Sequence, residues 1–289
     1  MRKLILIGAA IAACWFASEQ ANAAELRIPQ SAVAGQTLSI GTSGNGDGTF
    51  YLVGPSTTLK RKIRLGEDVQ VKGEDLRSAG RWVAIVRGSG GSQSQVFLVK
   101  PDKPGILNFS ARPSRVPVAR PNSVSGVAFI FDKFHNLILD PTPVKFSLSV
   151  GGSSASHTVT SKEGVAYLNS SSAPKAGAAQ FVASVDDVSV NRVVEQVASD
   201  PCNLRMHVVQ REKDQIIVQT DPIRDCTGNA VPDGTIVTFT QTDSTGRSVV
   251  DARIKKGVAR AQLPASNNAT IAVAAGVVLG NELHVGGGQ

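Results

Sequence analysis

The sequence predicts an all-β protein built as three tandem β-sandwiches behind a cleaved leader. Three observations carry this: β-branched and apolar residues alternate with Ser and Thr in short runs, turn-forming separators recur between the runs, and no helical periodicity follows the leader. The composition agrees, with 28 Gly and only 5% aromatic residues, as short half-buried strands and tight turns require.

The chain opens on Met1, Arg2 and Lys3, runs through apolar residues from Leu4 to Phe16, and reaches Ala21, Asn22 and Ala23. Charged, apolar, then small is the order of a secretory signal peptide, which places the mature start at Ala24. The apolar run is shorter than the roughly 20 residues a helix needs to cross a bilayer. The protein is therefore read as exported to the periplasm, cell surface or medium, and not integral to a membrane. A rival reading takes Ile11 to Cys14 as a lipobox with Cys14 acylated as a lipid anchor. The short segment before Cys14 and the bulky Trp15 and Phe16 after it weigh against that cut.

Past the leader, 266 of the 289 residues remain, which suits three sandwiches of about 80 to 100 residues. The first, 24–100, holds strand-like runs at 26–28, 36–41, 49–53, 58–65, 69–71, 81–87 and 95–99. Their separators are turn-formers, among them Gly44 to Gly48, Gly54 to Ser56, and Gly88 to Ser92. Seven short strands in about 75 residues is an immunoglobulin-like pattern. Lys100 to Pro104 reads as a linker, because Pro101 and Pro104 lack backbone donors. The second sandwich is 104–198. Ala198 to Pro201 is a further proline-bearing linker, and the third sandwich is 201–289. Short linkers of this kind predict a semi-rigid arrangement.

Of three cysteines, Cys14 lies in the leader, and the remaining pair, Cys202 and Cys226, is most simply a disulfide in an oxidising compartment. Two free buried thiols are the alternative. Closing that loop stabilises the last domain by about 3 kcal/mol.

The second and third segments align without a gap at an offset of 93 residues over their central part. Asp132, Asn136, Asp140, Thr142, Val144 and Phe146 match Asp225, Asn229, Asp233, Thr235, Val237 and Phe239. At the same offset Lys162, Gly164, Val165 and Ala166 match Lys255, Gly257, Val258 and Ala259. Asp and Asn bond their own backbone and tolerate left-handed φ, and glycine supplies positive φ in a hairpin. Asp132, Asn136, Gly164, Asp225, Asn229 and Gly257 are thus expected to be hairpin scaffold. Asp225, Gly228, Asn229, Val231, Pro232, Val237 and Phe239, followed by Gly257, Val258 and Ala259, resemble the bacterial immunoglobulin-like repeats of the invasin and intimin adhesins. The copy from Asp132 to Ala166 carries the pattern more weakly, and the likeness spans about 104–285. It implies an extracytoplasmic spacer or adhesive stalk, with a cell-envelope or surface protein as partner.

No catalytic motif is present, so no enzyme is expected, and no cofactor either. The histidines His135, His157, His207 and His284 lack ligand spacing. Asn45 with Asp47, or Asp132 with Asn136 and Asp140, offers oxygen atoms to calcium. Asx turns explain the same residues, and the expected metal content is none. Gly151 to Ala155 reads as a flexible hairpin tip. The formal charge of +7 is modest over this length, and export argues against a nucleic-acid partner.

One basic run stands out. Lys60, Arg61, Lys62 and Arg64 fall within five residues, and on a strand Lys60, Lys62 and Arg64 share a face while Arg61 points the other way with Leu59 and Ile63. This set is the candidate site for an anionic polysaccharide or wall polymer. Protection of a sheet edge by Lys and Arg is the simpler explanation of the same run. Trp82 and Tyr51 are the candidate aromatics of a sugar platform, with core packing the favoured reading.

Overall fold

A computed structural model describes residues 25–286. The signal peptide and the alternative anchor at Cys14 lie outside them. The chain forms two compact units, one ending at Asp102 and the other beginning at Lys103, inside the linker the prolines marked.

The first unit contains β1 (Leu26–Arg27), β2 (Ser31–Val33), β3 (Leu38–Thr42), β4 (Asp47–Val53), β5 (Thr58–Arg64), β6 (Val69–Val71), β7 (Gly80–Gly88) and β8 (Gly91–Lys100). A five-stranded sheet in the order β2-β8-β7-β4-β5 accompanies a three-stranded sheet β1-β3-β6. Alternation decides the faces: Phe50 and Leu52 of β4, Trp82, Ala84 and Val86 of β7, and Phe97 and Val99 of β8 are buried. Trp82 is a core residue, its indole donating to the Ser78 carbonyl at 2.9 Å. Gly54 is required beside it, since a Cβ there would lie 2.5 Å from the ring.

Two local expectations change. The separator expected at 88–92 narrows to a two-residue turn: β7 and β8 pair to their ends, Gly88 opposite Gly91, leaving Ser89 and Gly90 as loop. Backbone pairing needs no side chain, so glycine content did not mark the boundary. β2, absent from the expected strand runs, is a three-residue strand that runs parallel to β8 and pairs Ser31 with Leu98.

The second unit contains two hydrophobic cores. Around the first lie β9 (Pro104–Arg112), β10 (Arg115–Pro117), β11 (Val124–Asp132), β12 (Pro143–Val150), β13 (Ser153–Thr160), β14 (Val165–Ser170), β15 (Gly177–Val185) and β16 (Val188–Val197). They form sheets β10-β16-β15-β12-β13 and β14-β11-β9. Phe109, Phe146 and Phe181 meet at the centre, with Phe109 edge-on to Phe181 at 5.2 Å between ring centroids. The hairpin tip expected at 151–155 is confined to two residues. Gly151 and Gly152, both at positive φ, make the tight turn, and Ser153 already pairs with Val150.

Around the other core lie β17 (Pro201–Cys202), β18 (Met206–Arg211), β19 (Gln215–Thr220), β20 (Arg224–Asp225), β21 (Ile236–Asp243), β22 (Gly246–Arg253), β23 (Arg260–Pro264), β24 (Asn268–Ala275) and β25 (Val278–Gly286). Sheets β22-β21-β24-β25 and β18-β19-β23 enclose Val218, Phe239, Ile254, Leu263 and Ile271. The chain is thus an all-β, immunoglobulin-like sandwich protein.

Candidate functional site

The basic strand β5 is the open edge of the first unit's five-stranded sheet and pairs with β4 along its whole length, from Thr58 opposite Val53 to Arg64 opposite Asp47. Its exposure alternates residue by residue. Lys60, Lys62 and Arg64 face solvent, whereas Leu59, Arg61 and Ile63 are half-buried on the other side. Successive exposed cations on a strand stand about 7 Å apart. Among the described residues none of the three has a carboxylate within ion-pair distance.

Arg61 does not belong to that row. Its guanidinium turns inward, donating to Asp75 Oδ2 at 2.8 Å and to the Gln70 carbonyl at 2.9 Å. It ties β5 to the 3-10 turn at Gly73–Asp75 and so serves the fold. The alternation showed which way Arg61 points, but its partner lies 14 residues away and carries no sequence signal.

Register adds residues the sequence had not grouped with the strand. Lys62 lies opposite Thr49 of β4, and Thr49 lies opposite Arg87 of β7, which places a fourth exposed cation on the same face. Lys60 lies opposite Tyr51, with its ammonium 5.7 Å from the ring centroid. Tyr51 is half-buried on this outer face, between the buried Phe50 and Leu52, so of the two candidate aromatics only Trp82 is core. Val53 and Val96 continue the face at 39% and 48% exposed. The result is a cationic margin beside a partly apolar sheet surface, able to attract polyanions and to contact the less polar faces of a ligand.

The hairpin residues of the two repeats superpose in chemistry. Asp132 Oδ1 accepts from the amides of Phe134 and Asn136 at 2.8 and 2.9 Å, and its Oδ2 accepts from Asn136 Nδ2 at 2.7 Å. Asp225 Oδ1 accepts from the amides of Thr227 and Asn229, both at 2.9 Å, and its Oδ2 from Asn229 Nδ2 at 3.1 Å. Burial would raise the Asp225 carboxyl, but hydrogen bonds from Thr227, Asn229 and Ser199 outweigh it and hold the group below its usual value. Of the oxygens considered for calcium, the first of these turns engages both carboxylate oxygens of Asp132, and among the described residues no group of three or more acidic, His or Cys side chains converges on one point. Gly164 and Gly257 sit at φ +81° and +80°.

Asn229 has a second task. Its Nδ2 also donates to the Pro174 carbonyl at 2.8 Å, and its Oδ1 accepts from the Ala176 amide at 3.0 Å, joining the β20–β21 turn to the loop before β15. Cys202 and Cys226 form a disulfide with Cα atoms 4.9 Å apart. It staples β17, the strand leaving the linker, to the turn that follows β20. The crosslink therefore sits where the two cores of the second unit adjoin.

Comparison with known proteins places this fold. No known family profile matches the chain, and no curated protein is similar to it in sequence. Solved structures do match. FdeC, an Escherichia coli adhesin, is 16% identical over 91% of this chain and 97% of its own, with a TM-score of 0.60. InvD of Yersinia pseudotuberculosis is 13% identical over the same shares, with a TM-score of 0.55. The immunoglobulin-like fold is thus shared along nearly the whole described chain.

Proposed function

We propose that the chain is an exported, non-catalytic adhesion module of the bacterial cell envelope, in which three sandwich domains, 24–100, 104–198 and 201–289, present or space a binding surface. The fold shared with an adhesin along the described chain supports this reading most directly. Among the described residues no helix is long and apolar enough to cross a membrane. The repeat makes the roles unequal: 104–198 and 201–289 are duplicated spacers, and the first domain is the binding end.

A second reading, a carbohydrate- or anionic wall-polymer-binding module, rests on Lys60, Lys62 and Arg64 and their missing carboxylate partners. Retention of the purified chain on envelope polymers tests it, with Lys60→Gln, Lys62→Gln and Arg64→Gln combined. Retention that falls in the variant and weakens with salt supports polymer binding. Unchanged retention leaves these charges as edge protection alone, and the adhesion reading without its polymer ligand.

A further inference from the structure

The duplication supplies an internal comparison. β12 and β13 correspond to β21 and β22 at the offset of 93 residues with the same bounds, and β13 and β22 are each the open edge of their sheet. The two edges differ in charge. Arg247, Asp251 and Arg253 on β22 stand where β13 has Ser154, Thr158 and Thr160. The adjoining edge of the opposite sheet repeats the contrast: Arg260 of β23 stands where β14 has Tyr167, which is 55% exposed.

Charged side chains on an edge prevent another strand from adding to it. β5 presents three such charges, Lys60, Lys62 and Arg64, and β22 three, yet β13 and β14 carry none. β13 pairs with β12 through all eight residues without a register shift, so no bulge blunts the edge either. A cleft of about 360 Å³ opens between β13 and β14, lined in part by Leu148, Ala155, His157 and Leu168.

We propose that β13 is a homotypic strand-addition site, at which a second copy of this chain lays its own β13 antiparallel and joins the two five-stranded sheets. Two copies of a chain with excess positive charge repel one another, so contact between copies is favoured on uncharged surface, and this edge is a long stretch of it. The strand is also self-complementary. About a twofold at Ser156, Ser154 opposes Thr158 and Ala155 opposes His157, so outward residues meet outward ones, inward meet inward, and no pair opposes like charges. Backbone hydrogen bonds supply the attraction, and the cleft receives the inward side chains of the added strand.

Sedimentation equilibrium of the purified chain from about 1 μM to 1 mM tests the proposal, this range covering weak strand-mediated association. The unaltered chain is expected to pass from monomer to dimer within it. Ser156→Lys and Thr158→Lys, both at exposed positions, are each expected to weaken dimerisation at least tenfold while leaving the unfolding midpoint unchanged. Ser248→Lys on the already charged β22 is expected to leave the dimer intact. A chain that stays monomeric at the highest concentration overturns the proposal. A dimer equally stable in Ser156→Lys and Thr158→Lys does so as well.

Discussion

Removing the Cys202–Cys226 crosslink by the paired substitutions Cys202→Ala and Cys226→Ala is expected to destabilise 201–289 and leave 104–198 folded. The bond closes a loop of 24 residues, for which the chain-entropy relation gives about 3 kcal/mol at 25 °C. Little else holds β17, whose two residues pair only with the two of β20. The Ser199 amide, just before it, donates to Asp225 at 3.1 Å, beside the crosslinked Cys226. With a urea slope of about 1 to 1.5 kcal/mol/M for a domain of this size, the midpoint should fall by about 2 to 3 M. Urea titration followed by circular dichroism measures the midpoint. Native-state hydrogen exchange localises the loss, with faster exchange in β18 to β25 and unchanged protection in β9, β11 and β15. A midpoint that does not move would refute the loop-closure reasoning. Equal loss of protection around both cores would refute its confinement to the last one.

Other perturbations follow from particular contacts. Gly54→Ala forces a methyl group to within 2.5 Å of the Trp82 ring and should destabilise the first unit by about 2 to 3 kcal/mol, read from the fluorescence of Trp82 during unfolding. Asn229→Ala removes hydrogen bonds to Pro174 and Ala176 as well as the turn, and should cost about 2 kcal/mol and speed exchange of the Ala176 amide. Gln196 is buried at 1% exposure with neither side-chain polar atom hydrogen-bonded among the described residues, so Gln196→Met should raise stability by about 1 kcal/mol in urea titration. Asp225 and Asp243 titrate below the ordinary 3.8 in the folded chain. For Asp243 the value is about 2, with the hydroxyl and amide of Thr245 as the main causes. Their contribution is present above pH 4 and lost as pH falls through the folded values, so Asp225→Asn with Asp243→Asn should flatten the stability curve between about pH 4 and 2.

Much of the arrangement is legible because a strand's period of two is local. It separated Lys60, Lys62 and Arg64 from Arg61, and the offset of 93 residues between the repeated motifs is the one at which the bounds of β12 match β21 and those of β13 match β22 in the structure. Other features left no such mark. β2 and β10, of three residues each, are held by parallel pairing with β8 and β16, and a run that short shows no alternation. Composition alone does not separate Tyr51 from Trp82, which odd and even positions on β4 and β7 send to opposite faces once the two strands are in register.

The sequence by itself determined the all-β class, the duplicated repeat, the direction of each cation on β5 and the pairing of Cys202 with Cys226. Each of these depends on composition or on spacing along the chain. The tertiary structure decided which strands are sheet edges, that Arg61 is held by Asp75, that Arg87 and Tyr51 join the basic face, and that Asn229 reaches Pro174 across 55 residues. Those outcomes depend on long-range pairing between strands, and an unpaired edge or a distant hydrogen-bond partner exists only once the sheets have closed around their cores.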